Sequence, residues 1–238
     1  MSLTRSKIMS AIVILIGSEK GGTGKTTLAT NIAAMCAIAG KETLLVDTDK
    51  QQSASDWASL RAASRTDKNL KVDLACVTKT GRVGYDIEQM RSKFDVIIVD
   101  AGGRDSVELR QAMAVCDQMI IPMRPAQFDT WSMDKMASLL RDIAEKIGQP
   151  VATRIVLNAV STNPSVKEAE ETRTFLANEY KNDFSVCASQ VGDRIAIRRA
   201  VRDGLCVTEL PKSLADSNAA EEMQRLYKEI FNEQWTRA

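Results

Sequence analysis

The fold of this chain is decided by the stretch Lys20-Gly21-Gly22-Thr23-Gly24-Lys25-Thr26-Thr27. Before it stands an apolar run at 11–16, whose length and β-branched content predict a buried strand, and residues 26–39 after it predict a helix. Glycines in such a turn let backbone N–H groups point at phosphate oxygens, where the helix N-terminus adds positive potential. We therefore predict a nucleoside triphosphate site, with Lys25 at the β- and γ-phosphates and the Thr26 hydroxyl on Mg²⁺. The predicted nucleotide-binding residues of this loop are Lys20, Gly21, Gly22, Thr23, Gly24, Lys25, Thr26 and Thr27.

The composition is that of an ordinary globular domain. The 238 residues are 44% apolar and 26% charged, and the net charge of +1 gives no strong overall field toward DNA or membranes. No apolar run approaches the roughly 20 residues that cross a bilayer. The five cysteines are scattered, odd in number and without a C-x-x-C pair, which fits reduced thiols, so we expect a cytoplasmic protein. The sequence contains no histidine, which excludes His-based triads and His metal ligands.

Predicted strands and helices alternate along the chain. Several strands are short, continuous apolar runs, which suit a parallel sheet covered on both faces. The pattern predicts one α/β domain, with a mostly parallel twisted sheet, helices on both faces and ligands at the carboxyl ends of the strands. The predicted strands are 11–16, 43–47, 72–77, 94–99, 117–121, 153–158 and 184–188, and the predicted helices are 26–39, 53–63, 83–92, 105–115, 130–147, 165–180, 193–203 and 214–231.

Acidic residues follow two of these strands. Asp47 and Asp49 end the second strand two residues apart, so both side chains point the same way if the extended geometry continues. Asp100 ends the fourth strand, where a carboxylate stands beside a phosphate-bound metal in Walker B sites. Gly103 completes a D-x-x-G spacing that lets its amide approach the γ-phosphate. The alternative is that Asp47 and Asp49 only cap the next helix.

Lys20 is an unusual residue for a phosphate-binding turn, because a lysine there is costly unless an anion neutralises it. The spacing K-G-G-x-G-K-[ST] resembles the deviant Walker A box of the ParA/MinD family of ATPases. The resemblance runs from Ala11 to about Ile230 and is closest to the small ParA partition ATPases. It implies a single-domain P-loop NTPase at 11–235, preceded by an N-terminal extension at 1–10, with ATP and Mg²⁺ as cofactors.

The resemblance also implies roles for individual residues. In the family the extra lysine, here Lys20, reaches across a dimer interface to the partner's nucleotide. Residues 47–52 resemble the first switch segment of the family, in which Asp49 would orient the attacking water while Asp47 supports Mg²⁺ through its waters. Residues 100–106, which include Gly103, are the predicted second switch segment, which senses whether the γ-phosphate is present. The predicted catalytic residues are Lys20, Lys25 and Asp49, and the predicted metal site consists of Thr26, Asp47 and Asp100.

The same resemblance places two residues at the base of the nucleotide. Asn158 ends the sixth strand, where the family has an Asn against the adenine amide edge, and Pro211 lies in the stretch that flanks the base. An Asn can both donate and accept hydrogen bonds there. A lone Asn at a strand end is also a common turn former, and that alternative stays open.

The predicted helix at 193–203 is rich in arginine. Asp193 can serve as its N-cap and Gly204 as its C-terminal stop, and arginines four residues apart line one stripe. The resemblance implies DNA binding without sequence preference by the ATP-bound dimer, which phosphate contacts would make salt-sensitive. The alternative is a solvated helix face whose arginines pair with neighbouring acids. The predicted DNA-binding residues are Arg194, Arg198, Arg199 and Arg202.

The resemblance implies a nucleoid-associated partition or positioning ATPase. Such a protein would form a homodimer with ATP, bind DNA non-specifically and segregate a plasmid, chromosome or protein cargo, and a ParB-like or other adaptor would stimulate its slow hydrolysis. One alternative is a MinD-like regulator that cycles on and off membranes. We expect no membrane partner, because the polar face of the last helix is net acidic. The other alternative is a metabolic ATP-dependent enzyme on the same fold.

Overall fold

The computed structural model describes residues 10–68, 70 and 72–238, so the predicted extension at 1–10 lies outside the described residues except for Ser10. Its seven strands form one parallel sheet in the order β3-β2-β4-β1-β5-β6-β7. The predicted single-domain α/β fold is confirmed. The strands are β1 (Ile12–Ile16), β2 (Thr43–Asp47), β3 (Ala75–Thr78), β4 (Val96–Asp100), β5 (Gln118–Met123), β6 (Thr153–Val160) and β7 (Ser185–Gly192). The helices are α1 (Lys25–Ile38), α2 (Ser53–Ala63), α3 (Val83–Met90), α4 (Val107–Val115), α5 (Thr130–Ile147), α6 (Glu168–Glu179), α7 (Ile195–Arg202) and α8 (Ser217–Phe231).

The sheet is buried on both faces, which explains the continuous apolar runs of its central strands. Ile14 and Ile16 of β1 pack into a core with α1, α2, α7 and α8. Val13 and Leu15 of the same strand pack into a second core with α3, α4, α5 and α6. Successive side chains of a strand point to opposite faces, so each core receives alternate residues. The two layers hold the carboxyl ends of β1, β2 and β4 side by side.

The largest departure from the predicted boundaries lies where β7 meets α7. We predicted a strand at 184–188 and a helix from Asp193, but β7 continues to Gly192 and the helix begins at Ile195. The strand continues because its pairing with β6 reaches Gly192, and the Asp193 N–H then donates to Val160 O at 2.8 Å. The predicted N-cap is therefore wrong, since Arg194 occupies that position and makes no side-chain cap.

The last helix packs on the domain with its apolar face. Met223, Leu226 and Tyr227 are fully buried in the core that contains α1. The packing continues past the predicted domain end at 235, because Ala238 N donates to Ile38 O at 3.0 Å. In the part of the chain that the structure describes, no helix combines the length and the apolar character needed to cross a bilayer.

Candidate nucleotide-binding site

The phosphate loop lies at the carboxyl end of β1, between the ends of β4 and β5. α1 begins at Lys25, and the residue before it, Gly24, has φ 95°. A Cβ at Gly24 would lie 2.1 Å from the side-chain amide nitrogen of Asn158, so both the backbone conformation and the space require glycine. The Ser18 and Thr23 hydroxyls, 2.9 Å apart, share a hydrogen bond inside the loop. The loop is thus held by its own side chains and by β6.

Thr26 and Asp100 form the part of the site that suits a metal ion. The Thr26 hydroxyl donates to Asp100 Oδ2 at 2.7 Å. The other oxygen, Asp100 Oδ1, is buried and has no hydrogen-bond partner within the described residues. Burial raises the pKa of Asp100 to about 7, although the hydrogen bond from Thr26 acts to lower it. An unpartnered carboxylate oxygen beside a threonine hydroxyl fits a hydrated Mg²⁺, which prefers such oxygen ligands and keeps several waters.

Lys25 points into the same buried region. Its side chain is largely enclosed, and burial lowers the pKa of its ammonium although Asp100 and Asp49 oppose the shift. Gly103 lies against it: a Cβ at Gly103 would sit 3.3 Å from Lys25 Nζ and 3.7 Å from Gly21 N. The structure therefore brings the predicted second switch, 100–106, into contact with the phosphate loop. Arg104 follows at φ 91°, an uncommon backbone conformation outside glycine, as found at functional turns.

The structure gives Asp47 and Asp49 different surroundings. Asp47 is fully buried, and its two oxygens accept from Asp49 N at 3.0 Å and Ser55 N at 2.8 Å. This is the helix-capping arrangement that the sequence left open, and it leaves Asp100 as the carboxylate on Thr26. Asp49 accepts from Gln51 N at 2.9 Å, and its carboxyl carbon would lie 3.3 Å from a Cβ at Gly102. Asp49 thus lies between the two predicted switch segments, 47–52 and 100–106.

The enclosed site formed by Lys25, Thr26 and Asp100 is called the cradle below. Lys20 points away from it. Its ammonium is ion-paired with Asp129 and donates to Gln127 O, both just before or at the start of α5. Asp129 is the N-cap of α5 and also accepts from Ser132 N at 2.7 Å. The Lys20 ammonium, followed by that backbone N–H, lowers the pKa of Asp129 to about 2. Sequence reasoning missed Asp129, although an Asp just before a predicted helix is a recognisable cap.

The residues predicted for the adenine are only partly brought together. Asn158 is buried and donates to Thr23 O at 2.7 Å, so one of its amide N–H groups supports the loop. It also lines a cleft that continues from the loop along β6 and the β7–α7 turn. Pro211 is exposed and is not among the residues lining that cleft. The adenine role of Pro211 is therefore not supported, and that of Asn158 stays a prediction.

Arg194, Arg198 and Arg202, which are predicted to line one stripe of a helix, do not do so. Arg194 precedes the helix, and its guanidinium is paired with Glu222 at 2.7 Å and Asp216 at 3.5 Å, with only 18% of the side chain exposed. The predicted place of Arg194 on an exposed basic stripe is therefore wrong, because two acids of the α8 region neutralise its guanidinium, and a contact of Arg194 with DNA stays a prediction. The exposed arginines of α7 are Arg198, Arg199 and Arg202; Arg198 is ion-paired with Asp193 and Arg202 with Asp203. A DNA-binding role for these three stays a prediction.

Comparison with known proteins identifies the family. Residues 14–207 match the CobQ/CobB/MinD/ParA nucleotide binding domain. The chain is 26% identical to maintenance of carboxysome distribution protein A of Halothiobacillus neapolitanus, over 93% of this chain and 97% of that protein. It is 30% identical to protein ParA of Rhizobium radiobacter, over 67% of this chain and 69% of that protein.

A solved structure agrees with these sequence matches. Cyanothece McdA, in a variant complexed with ATP, superposes with a TM-score of 0.73 at 14% identity, over 96% of this chain and 99% of that one. At this identity the likeness shows the fold, a P-loop sheet of the same kind. With a match over most of its length, the chain belongs to the CobQ/CobB/MinD/ParA nucleotide-binding family, as its phosphate loop predicted, and is an ATPase of the ParA/MinD type.

Proposed function

We propose that this chain is a positioning ATPase that dimerises when it binds ATP with Mg²⁺ and that uses this cycle to distribute a cargo in the cell. The observation that carries the proposal is the opposite placement of the two loop lysines. Lys25 is enclosed beside Thr26 and Asp100, whereas Lys20 lies at the surface on Asp129. A lysine held outside its own cradle is available to the nucleotide of a second copy.

Each residue of the cradle and of the adjoining loop has a separate role in binding or hydrolysing the nucleotide. Backbone N–H groups of the loop bind the phosphates, Lys25 reaches the β- and γ-phosphates, and Thr26 with Asp100 holds the hydrated metal. Once bound between these residues, Mg²⁺ would supply positive charge that offsets the negative charge of the phosphates. Asp49, beside Gly102, orients the attacking water. No base stronger than a carboxylate is available in a chain without histidine, so we expect slow hydrolysis that an adaptor protein accelerates.

Closure of the two switch segments on the γ-phosphate links the nucleotide to dimerisation. The segments are already joined, because Thr48 N donates to Asp100 O at 2.9 Å and its hydroxyl donates to the same oxygen at 3.1 Å. A shift of Gly103 toward the γ-phosphate would therefore also move Asp49. Hydrolysis removes the group that holds both segments, and the dimer dissociates.

The cargo and the surface on which the dimer moves remain parts of the proposal. The exposed arginines of α7, doubled in a dimer, would attract DNA phosphates without reading sequence. Both a protein cargo and a replicon are consistent with the relatives, since one is named for carboxysome distribution and another is a ParA protein. A ParB-like or comparable adaptor would connect the ATPase to either cargo.

Light scattering and gel shifts test this function directly. We expect a monomer with ADP and a dimer with a non-hydrolysable ATP analogue. The dimer should shift DNA duplexes of unrelated sequence equally well and lose affinity steeply as salt is raised. A chain that stays monomeric with the analogue would contradict the proposed dimerisation. Dimers that do not bind DNA would contradict only the proposed DNA-binding role of the exposed α7 arginines.

A further inference from the structure

We propose that the surface around the first turn of α5 docks against a second copy of this chain, with Trp131 as its anchor. The inference rests on the proposed function, since it names the surface that the ATP-dependent dimer uses. The surface, called the α5 face here, is formed by Glu19, Lys20, Asp129, Trp131 and Lys135.

Trp131 is exposed to an unusual degree. Its exposed fraction of 74% is the largest among the exposed large apolar side chains of the described residues, and the Lys135 ammonium lies 4.8 Å from the ring centre. By contrast, Trp57 is buried, and Trp235 is half-buried and donates to Met35 O at 2.9 Å. Exposed tryptophan is rare, and tryptophan is among the residues that most often dominate binding energy at interfaces.

The packing of α5 fixes Trp131 on the outside of the molecule. Met133, Met136 and Leu140 form the buried stripe of this helix against the sheet. Trp131 and Lys135 are four residues apart and lie off that stripe, so rotating the helix to bury the ring would expose the methionines. A partner must cover Trp131 if anything does.

The α5 face is continuous with the phosphate loop. Asp129, two residues before the tryptophan, holds the Lys20 ammonium, and Lys135 lies 3.5 Å from the carboxylate of Glu19 in the same loop. Under the proposed function Lys20 leaves Asp129 for the nucleotide of the second copy. A second copy close enough to receive Lys20 also reaches the side chains next to it.

The charges of this face favour a second copy as the occupant. Its two cations pair with its two anions, Lys20 with Asp129 and Lys135 with Glu19. When Lys20 moves to the nucleotide of the second copy it stays between the two molecules, so the side chains of the two faces together have no net charge. In a two-fold contact the same patch meets itself, and a patch of one sign would repel its copy. A neutral face gives no general attraction for DNA phosphates, unlike the exposed arginines of α7. The face therefore fits its own copy better than a strongly charged partner.

Trp131→Ala tests the proposal, with Tyr85→Ala as the matched control. Tyr85 is also an exposed aromatic, at 54%, with the Arg82 guanidinium 4.4 Å from its ring centre, but it lies on α3. We expect Trp131→Ala to raise the dimer dissociation constant with a non-hydrolysable ATP analogue by about tenfold or more. The affinity of the monomer for a fluorescent ATP analogue and the thermal midpoint should stay near those of the parent, as should all properties of Tyr85→Ala.

A fluorescence difference gives a second readout that needs no loss of binding. The emission of the parent minus that of Trp131→Phe isolates Trp131, which should shift to shorter wavelength with the ATP analogue and not with ADP. An unchanged difference spectrum in a dimeric sample, or equal weakening by Tyr85→Ala, would overturn the α5 face and leave the proposed function standing. If the parent itself stays monomeric with the analogue, the proposed function falls and this inference falls with it.

Discussion

Lys20 and Lys25 lie five residues apart in one loop and have opposite environments. Lys25 is enclosed, and burial lowers the pKa of its ammonium. Lys20 has 40% of its side chain exposed and is paired with an aspartate on another helix. One lysine is thus positioned for the chain's own nucleotide before any ligand arrives, whereas the other has a replaceable partner. From this comparison we expect that ATP binding and dimerisation can be separated by mutating one lysine of the loop at a time.

The strongest test of this separation is Lys25→Ala. Removing the cation that faces the β- and γ-phosphates should weaken ATP binding by roughly 100-fold or more, because hydrogen bonds between charged groups are among the strongest in proteins. Isothermal titration calorimetry with ATP and Mg²⁺ measures this. An ATP affinity equal to that of the parent would show that Lys25 does not face the phosphates.

Lys20→Ala should separate the two functions. We expect the monomer to bind ATP within about threefold of the parent, since the Lys20 ammonium lies on Asp129 rather than in the cradle. Dimers with a non-hydrolysable ATP analogue should disappear in light scattering. Lys41→Ala is a useful control, because Lys41 also pairs with an acid, Glu233, but lies away from the loop. Persistent dimers in Lys20→Ala would contradict a role of Lys20 across the interface.

The buried Asp100 carboxyl, on the enclosed side of the site near Lys25, predicts that stability depends on pH. Burial raises the pKa of Asp100 to about 7, whereas an unfolded aspartate titrates near pH 4. Between these values the unfolded state ionises while the folded state keeps the proton. The free energy of unfolding therefore falls as pH rises toward 7, by up to a few kcal/mol from this group.

Asp100→Asn should remove this contribution. Without nucleotide, the gain in unfolding free energy of Asp100→Asn over the parent should grow from pH 4 to pH 7 and then level off. Urea unfolding at a series of pH values measures the difference, and other titrating groups cancel between the two proteins. A difference that does not change with pH would mean that the pKa of Asp100 is the same in the folded and unfolded chain, and that the enclosed part of the site is more hydrated than its burial indicates.

The two lysines also show how far sequence reasoning reaches. The phosphate loop, the alternation of strands and helices and the position of Asp100 at the end of a strand could be predicted, because each depends on neighbours within a few residues. The partner of Lys20 could not, since Asp129 is 109 residues away and meets it only through the packing of α5. The ion pair of Arg194 could not be predicted for the same reason, because its partner Glu222 lies on a helix whose orientation no local pattern specifies. Asp47 was ambiguous because a metal ligand and a helix cap look alike in sequence.

The smallest expected effect concerns the exposed ion pair between Lys20 and Asp129. Asp129→Asn keeps a side chain that can cap α5 but removes the negative charge. An exposed ion pair contributes at most about 1 kcal/mol, so Lys20 should be released more easily and the dimer dissociation constant should fall by up to about fivefold. Glu221→Gln, which breaks the exposed pair with Arg225 on α8, should leave dimerisation unchanged. If Asp129→Asn instead weakened the dimer, Asp129 would be needed in the closed state, as a contact to the second copy rather than as a hold on the first.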